Sequence, residues 1–134
     1  KPEQMDKKQL DIALEEFFHE VQVNSGIDIQ FRKNEPTFTL TSEAELSIFR
    51  GVQEAITNAM RHGQATRITV LLMYNPSQLV VTIKDNGTGA VDLAPKGGLK
   101  SLQERLRAEG GSVTLEASNP GVTVQMILPN TEKQ

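Results

Sequence analysis

The sequence predicts an α/β sandwich, a mixed, largely antiparallel sheet with helices packed on one face. Three observations carry that expectation. Apolar residues recur at helical spacing in three stretches, alternating β-rich runs lie between and after them, and two pairs of those runs are joined by turn-forming residues. A chain of 134 residues suffices for one compact core without disulfides or structural metal.

The elements follow in order. Leu10, Leu14, Phe17, Phe18 and Val21 form a helical stripe that Asn24-Ser25-Gly26 stops. Residues 1–26 therefore read as an amphipathic helix, either packed on the domain or linking it to a further segment, and residues 27–134 as the body of the domain. Ile27, Ile29 and Phe31 alternate with polar neighbours as in a half-buried strand, and residues 37–40 read as its short neighbour after Pro36. Ser42-Glu43-Ala44-Glu45 has the capping-box form and opens a second helix with Leu46, Phe49, Ile56 and Met60 as its apolar face, ending near Gly63.

Residues 67–74 and 78–84 form a predicted hairpin turned by Asn75-Pro76-Ser77. Residues 85–98 carry no apolar period and read as a functional loop, with 91–97 expected to be mobile. A third helix holds Leu99, Leu102 and Leu106 and stops at Gly110-Gly111. Two last strands, 113–117 and 122–128, are turned by Asn119-Pro120-Gly121. The sheet face away from the helices is expected to stay solvated.

Composition excludes several functions. Cysteine is absent and the two histidines, His19 and His62, stand far apart, which disfavours disulfide, zinc and redox roles. A net charge of −3 with 4% aromatic residues does not fit a nucleic-acid binder. No apolar run is long enough for a bilayer, and residues 1–10 are too polar for a signal peptide. These features predict a cytoplasmic, soluble domain.

Three groups of residues suggest chemistry. Glu54, Asn58, Arg61 and His62 share one face of the second helix. A solvated helix face explains charge there equally well, but asparagine is a mediocre helix former, and its neutral oxygen suits a magnesium ion that already holds phosphate. Asp85-Asn86-Gly87-Thr88-Gly89 follows a strand directly, so that glycine lets backbone approach a flat ligand and a carboxylate can accept a proton from an exocyclic amine. An ordinary hairpin turn is the competing explanation. Lys96-Gly97-Gly98-Leu99 opens the third helix, where free amides, the helix dipole and a lysine favour phosphate. A plain loop-to-helix junction reads the same way.

Together the three groups resemble, in order and spacing, the nucleotide-binding boxes shared by gyrase, the ninety-kilodalton heat-shock chaperones, histidine kinases and mismatch-repair ATPases. Residues 53–62 resemble the N box, 85–89 the G1 box and 96–99 the G2 box. Gln103-Glu104-Arg105-Leu106 with Gly110-Gly111 is similar to the short-lid histidine kinases that include nitrate sensors and regulators of lipid desaturation. The resemblance covers roughly residues 40 to 129 and implies a Bergerat ATP-binding fold.

It also implies roles. Asn58 matches the magnesium ligand, Asp85 the aspartate that reads the adenine amine, and Gly87 and Gly89 the glycines beside base and lid. Glu54 matches the glutamate that polarises a nucleophile or positions the metal shell. Arg61, His62, Lys96, Gly97, Gly98 and Leu99 fall among the phosphate-side positions. Three positions depart from the pattern: Lys96 and Ser101 stand where glycine is usual, and Val122 follows Gly121 where the family commonly has a threonine that supports the adenine-binding aspartate.

The implied activity is transfer of the γ-phosphate of magnesium-ATP to a histidine on a separate dimerisation domain, with a response regulator downstream. Neither His19 nor His62 has a phosphoacceptor context, so this chain alone is not expected to phosphorylate itself; with no dimerising helical stalk and no heptad pattern it is expected to be monomeric, whereas the parent protein is expected to be a homodimer anchored at the membrane. An anti-sigma-factor serine kinase, or a nucleotide-binding module without transfer, are the alternatives.

Overall fold

The computed structural model describes residues 9–90 and 92–132; part of the first-helix reading (1–8) and Val91 of the expected lid lie outside them. The order is α1 (Leu10–Ser25), β1 (Asp28–Lys33), α2 (Ser42–Arg61), β2 (Arg67–Asn75), β3 (Gln78–Asp85), α3 (Gly97–Ala108), β4 (Ser112–Ala117) and β5 (Val122–Pro129). The strands form one sheet in the order β1-β2-β3-β5-β4. β1 runs parallel to β2, and every other pairing is antiparallel. Parallel neighbours need a long crossover, and α2 supplies it.

The period of two decides which sheet face is covered. Ile68, Val70 and Leu72 of β2, Leu79, Val81 and Ile83 of β3, and Val124, Met126 and Leu128 of β5 are all buried, and they pair across the sheet. Their alternates, such as Thr69, Thr82 and Gln125, are only half-buried. Onto the buried face pack Leu10, Leu14 and Phe18 from α1, Ile48, Val52 and Ile56 from α2, and Leu99, Leu102 and Leu106 from α3. Each such side chain contributes about 1.5–3 kcal/mol when fully removed from water. The mixed, largely antiparallel sheet with helices on one face is therefore as the sequence predicts.

Turn chemistry explains the local detail. Gly26 closes α1 at φ 77°, a conformation that favours glycine, and its N–H donates to the Gln22 carbonyl. In the β2–β3 turn, Asn75 Oδ1 accepts from the N–H of Ser77 and Gln78 at 2.8 and 2.9 Å and from the Ser77 hydroxyl at 2.8 Å. Gly51 admits α3: a Cβ there would meet Leu102 Cδ2 at 2.4 Å.

Three sequence expectations are corrected. Residues 37–40 form no strand; Phe38 is buried edge-to-face against Tyr74, with ring centroids 5.3 Å apart, so one plugging aromatic gave the appearance of alternation. The cap of α2 is Thr41, not Ser42: the Thr41 hydroxyl accepts from the Ala44 N–H at 3.1 Å. The buried face of α2 is Ile48, Gly51, Val52, Ala55, Ile56 and Ala59, while Leu46, Phe49 and Met60 are half-buried at its margins. Small residues fill the seam because two helices and a sheet converge there.

Candidate functional site

Asp85 is the last inward position of β3. Leu79, Val81, Ile83 and Asp85 share one face, so the strand period itself delivers a carboxylate to the end of the core. Asp85 is 8% exposed and is the buried charged residue among the described residues. A buried carboxylate needs partners, and Oδ1 accepts from the Gly87 N–H at 2.8 Å and the Val122 N–H at 3.3 Å. Oδ2 has no hydrogen-bond partner among the described residues, yet it is not sealed from solvent. Asp85 thus presents one anchored oxygen and one available acceptor.

The surrounding backbone fits this carboxylate closely. Gly121 has φ 92°, and a Cβ there would meet the Asp85 carbonyl oxygen at 1.9 Å and Oδ1 at 2.6 Å. A Cβ on Gly87 would meet the Gly63 carbonyl oxygen at 2.3 Å, and the Thr88 N–H donates to that same oxygen at 2.7 Å. Gly89, at φ 88°, continues the loop in a conformation that favours glycine. At position 122, where the resemblance would place a threonine, Asp85 is held by the Val122 backbone N–H.

The same helix end carries Asn58. The Asn58 carbonyl accepts from the N–H of His62 and Gly63 at 2.9 and 3.2 Å, closing α2 on the segment against which the Asp85 loop rests. The half-buried Asn58 side-chain amide makes no hydrogen bond among the described residues. Arg61 and His62 are exposed beyond it.

Glu54, one turn earlier, faces α3. A Cβ on Gly98 would lie 3.2 Å from Glu54 Oε1, and one on Gly97 would lie 3.8 Å from Oε2. The carboxylate therefore sits beside the positive end of a 12-residue helix. The amide N–H groups of Gly97 and Gly98 have no partner among the described residues. From Glu54 to His62 the helix rises about 12 Å. A groove of about 670 Å³ opens outward from Glu54 between α2 and α3, lined among others by Leu46, Arg50, Gly98, Leu102 and Arg105.

The Leu99 side chain lies in the core, 1% exposed, and its N–H donates to the Lys96 carbonyl at 3.1 Å. Lys96 is exposed and pairs with Asp92, Nζ 2.7 Å from Oδ2, and that hydrogen bond keeps the Asp92 carboxyl below its usual range. Sequence reasoning missed Gly63, Thr66, Asn86 as a structural group, and Gly121. Each acts on a partner distant in sequence, so no local pattern marks it.

Residues 43–132 match the family described as histidine kinase-, DNA gyrase B-, and HSP90-like ATPase. The chain belongs to this ATPase family. Among curated relatives of this ATPase, the oxygen sensor histidine kinase NreB of Staphylococcus carnosus is 29% identical over 98% of the chain and 40% of its own length. The sensor histidine kinase YxjM of Bacillus subtilis is 32% identical over 87% of the chain and 29% of its own length. The chain thus spans well under half of these relatives, and it is an ATP-binding catalytic domain of the sensor histidine kinase type. The fold matches the catalytic domain of histidine kinase ThkA with a TM-score of 0.75, 17% identity, and coverage of 93% and 94% of the two chains. ThkA has also been solved in complex with the response regulator TrrA; that kinase matches with a TM-score of 0.73 at 16% identity, over 92% of this chain and 40% of ThkA. Among the described residues of the ATPase domain, no helix is long and apolar enough to cross a membrane.

Proposed function

We propose that this domain holds magnesium-ATP along the C-terminal half of α2 and donates the γ-phosphate to a histidine on a separate dimerisation domain of its parent protein. The observation that carries the reading is Asp85, a buried carboxylate with one oxygen fixed by two backbone amides and the other left as an acceptor. That oxygen accepts from the adenine amine. Gly87 and Gly89 keep the loop flat enough for the base, and Gly97, Gly98 and Lys96 receive the phosphates.

Asn58 offers a neutral, unpartnered oxygen at the phosphate side, which suits a cation that keeps several waters and takes few protein ligands. When bound, magnesium supplies charge neutralisation on the phosphate oxygens. Arg61 and His62 reach toward the same charge from the end of α2. Glu54 polarises the incoming imidazole, and the groove between α2 and α3 leaves it open to a second domain. Lys96 exchanges Asp92 for phosphate, since the exposed ion pair is weakened by solvent screening.

In this reading α1 packs on the domain through Leu10, Leu14 and Phe18. The parent protein is read as a membrane-anchored homodimer that passes phosphate to a response regulator, with this domain on the cytoplasmic side. The named relatives support the histidine acceptor over a serine acceptor.

Asn58→Ala tests the metal assignment. Calorimetric titration is expected to lose the magnesium-dependent part of ATP binding and to keep the metal-free part. Equal loss with and without magnesium would show that Asn58 is structural.

A further inference from the structure

We infer that Asn86 is the positioning residue for the base-reading carboxylate, an inference that rests on the assignment of Asp85 to adenine. The β2–β3 ladder ends where Ile68 pairs with Asp85. Past that pair the strands part, and the N–H groups of Thr66 and Arg67 would be left without a strand. Asn86 Oδ1 accepts from both, at 2.9 Å each. Its Nδ2 donates to the Thr66 hydroxyl at 3.0 Å, and its own N–H donates to the Arg67 carbonyl at 3.2 Å. One side chain thus uses both acceptor sites and one of its two donors on a two-residue segment.

The placement has a consequence for Asp85. Asn86 is followed by Gly87, whose N–H holds Asp85 Oδ1 at 2.8 Å, and then by Thr88, whose N–H is fixed on the Gly63 carbonyl. The turn that orients the carboxylate is therefore pinned on one side to the start of β2 and on the other to the end of α2. Without the Asn86 side chain, water takes over the amides of Thr66 and Arg67 at little cost, because this corner is exposed. The Gly87 N–H then loses its fixed direction, and Asp85 Oδ1 is left with the longer Val122 contact. The expected damage falls on nucleotide discrimination more than on global stability.

The test uses the full chain and competition titrations of ATP against GTP, with circular dichroism and thermal unfolding as controls. Folded Asn86→Ala is expected to bind ATP about tenfold more weakly, with GTP affinity unchanged, so that the ATP preference shrinks in proportion. Asn86→Asp keeps both acceptor contacts and is expected to stay within about threefold of wild type. A folded Asn86→Ala chain with the wild-type preference, an equal loss for both nucleotides, or a folded Asn86→Asp chain that loses the preference would each overturn the inference. A wild-type chain without ATP preference, unchanged by Asp85→Ala, would instead overturn the Asp85 assignment itself.

Discussion

Asp85→Ala is expected to weaken ATP binding roughly tenfold to a hundredfold while leaving GTP binding unchanged. A charge-assisted hydrogen bond in a partly desolvated site is worth about 1.5–3 kcal/mol. The free carboxylate oxygen accepts from the amine of adenine, and it has nothing to offer the carbonyl that guanine carries in its place. The alanine variant also leaves the N–H groups of Gly87 and Val122 without their shared acceptor. Circular dichroism must therefore show a folded chain before the titrations are read. An unchanged ATP-to-GTP preference in a folded variant would refute the assignment.

Gly121→Ala is expected to be strongly destabilising. The new Cβ would lie 1.9 Å from the Asp85 carbonyl oxygen, a backbone atom that cannot swing aside, and its φ of 92° is strained for any L side chain. Strain and overpacking together predict a loss of about 3 kcal/mol and a fall in Tm of roughly 10 °C. Gly26→Ala is the matched control. Its φ is 77°, but nothing lies within 4 Å of the added Cβ, so only the strain of about 1 kcal/mol remains. Thermal unfolding of both variants checks the contrast. Similar losses would mean that the Asp85 contact is not what makes Gly121 necessary.

The fold was largely legible because its signals are local. Strict alternation in β2, β3 and β5, the leucine stripe of α3 and the Gly26 stop each report on residues a few positions apart. The misread parts share a different cause. Phe38 takes its place from Tyr74, and the seam of α2 takes small residues because α3 and the sheet arrive there together. The site was legible as three motifs but not as one object. That Glu54 lies beside Gly98, that Gly87 rests on Gly63, and that Asn86 completes the start of β2 are long-range facts set by the crossover through α2.

Labelled phosphate reports directly on phosphoryl transfer to a histidine of a separate segment. The purified domain is mixed with the separate dimerisation segment of its parent protein, magnesium and ATP labelled at the γ-position, and the label is followed with time. An acid-labile, alkali-stable phosphohistidine is expected on the dimerisation segment, with none on the domain alone and none with Asn58→Ala. Label on serine, or no label while ATP still binds tightly, would contradict that transfer.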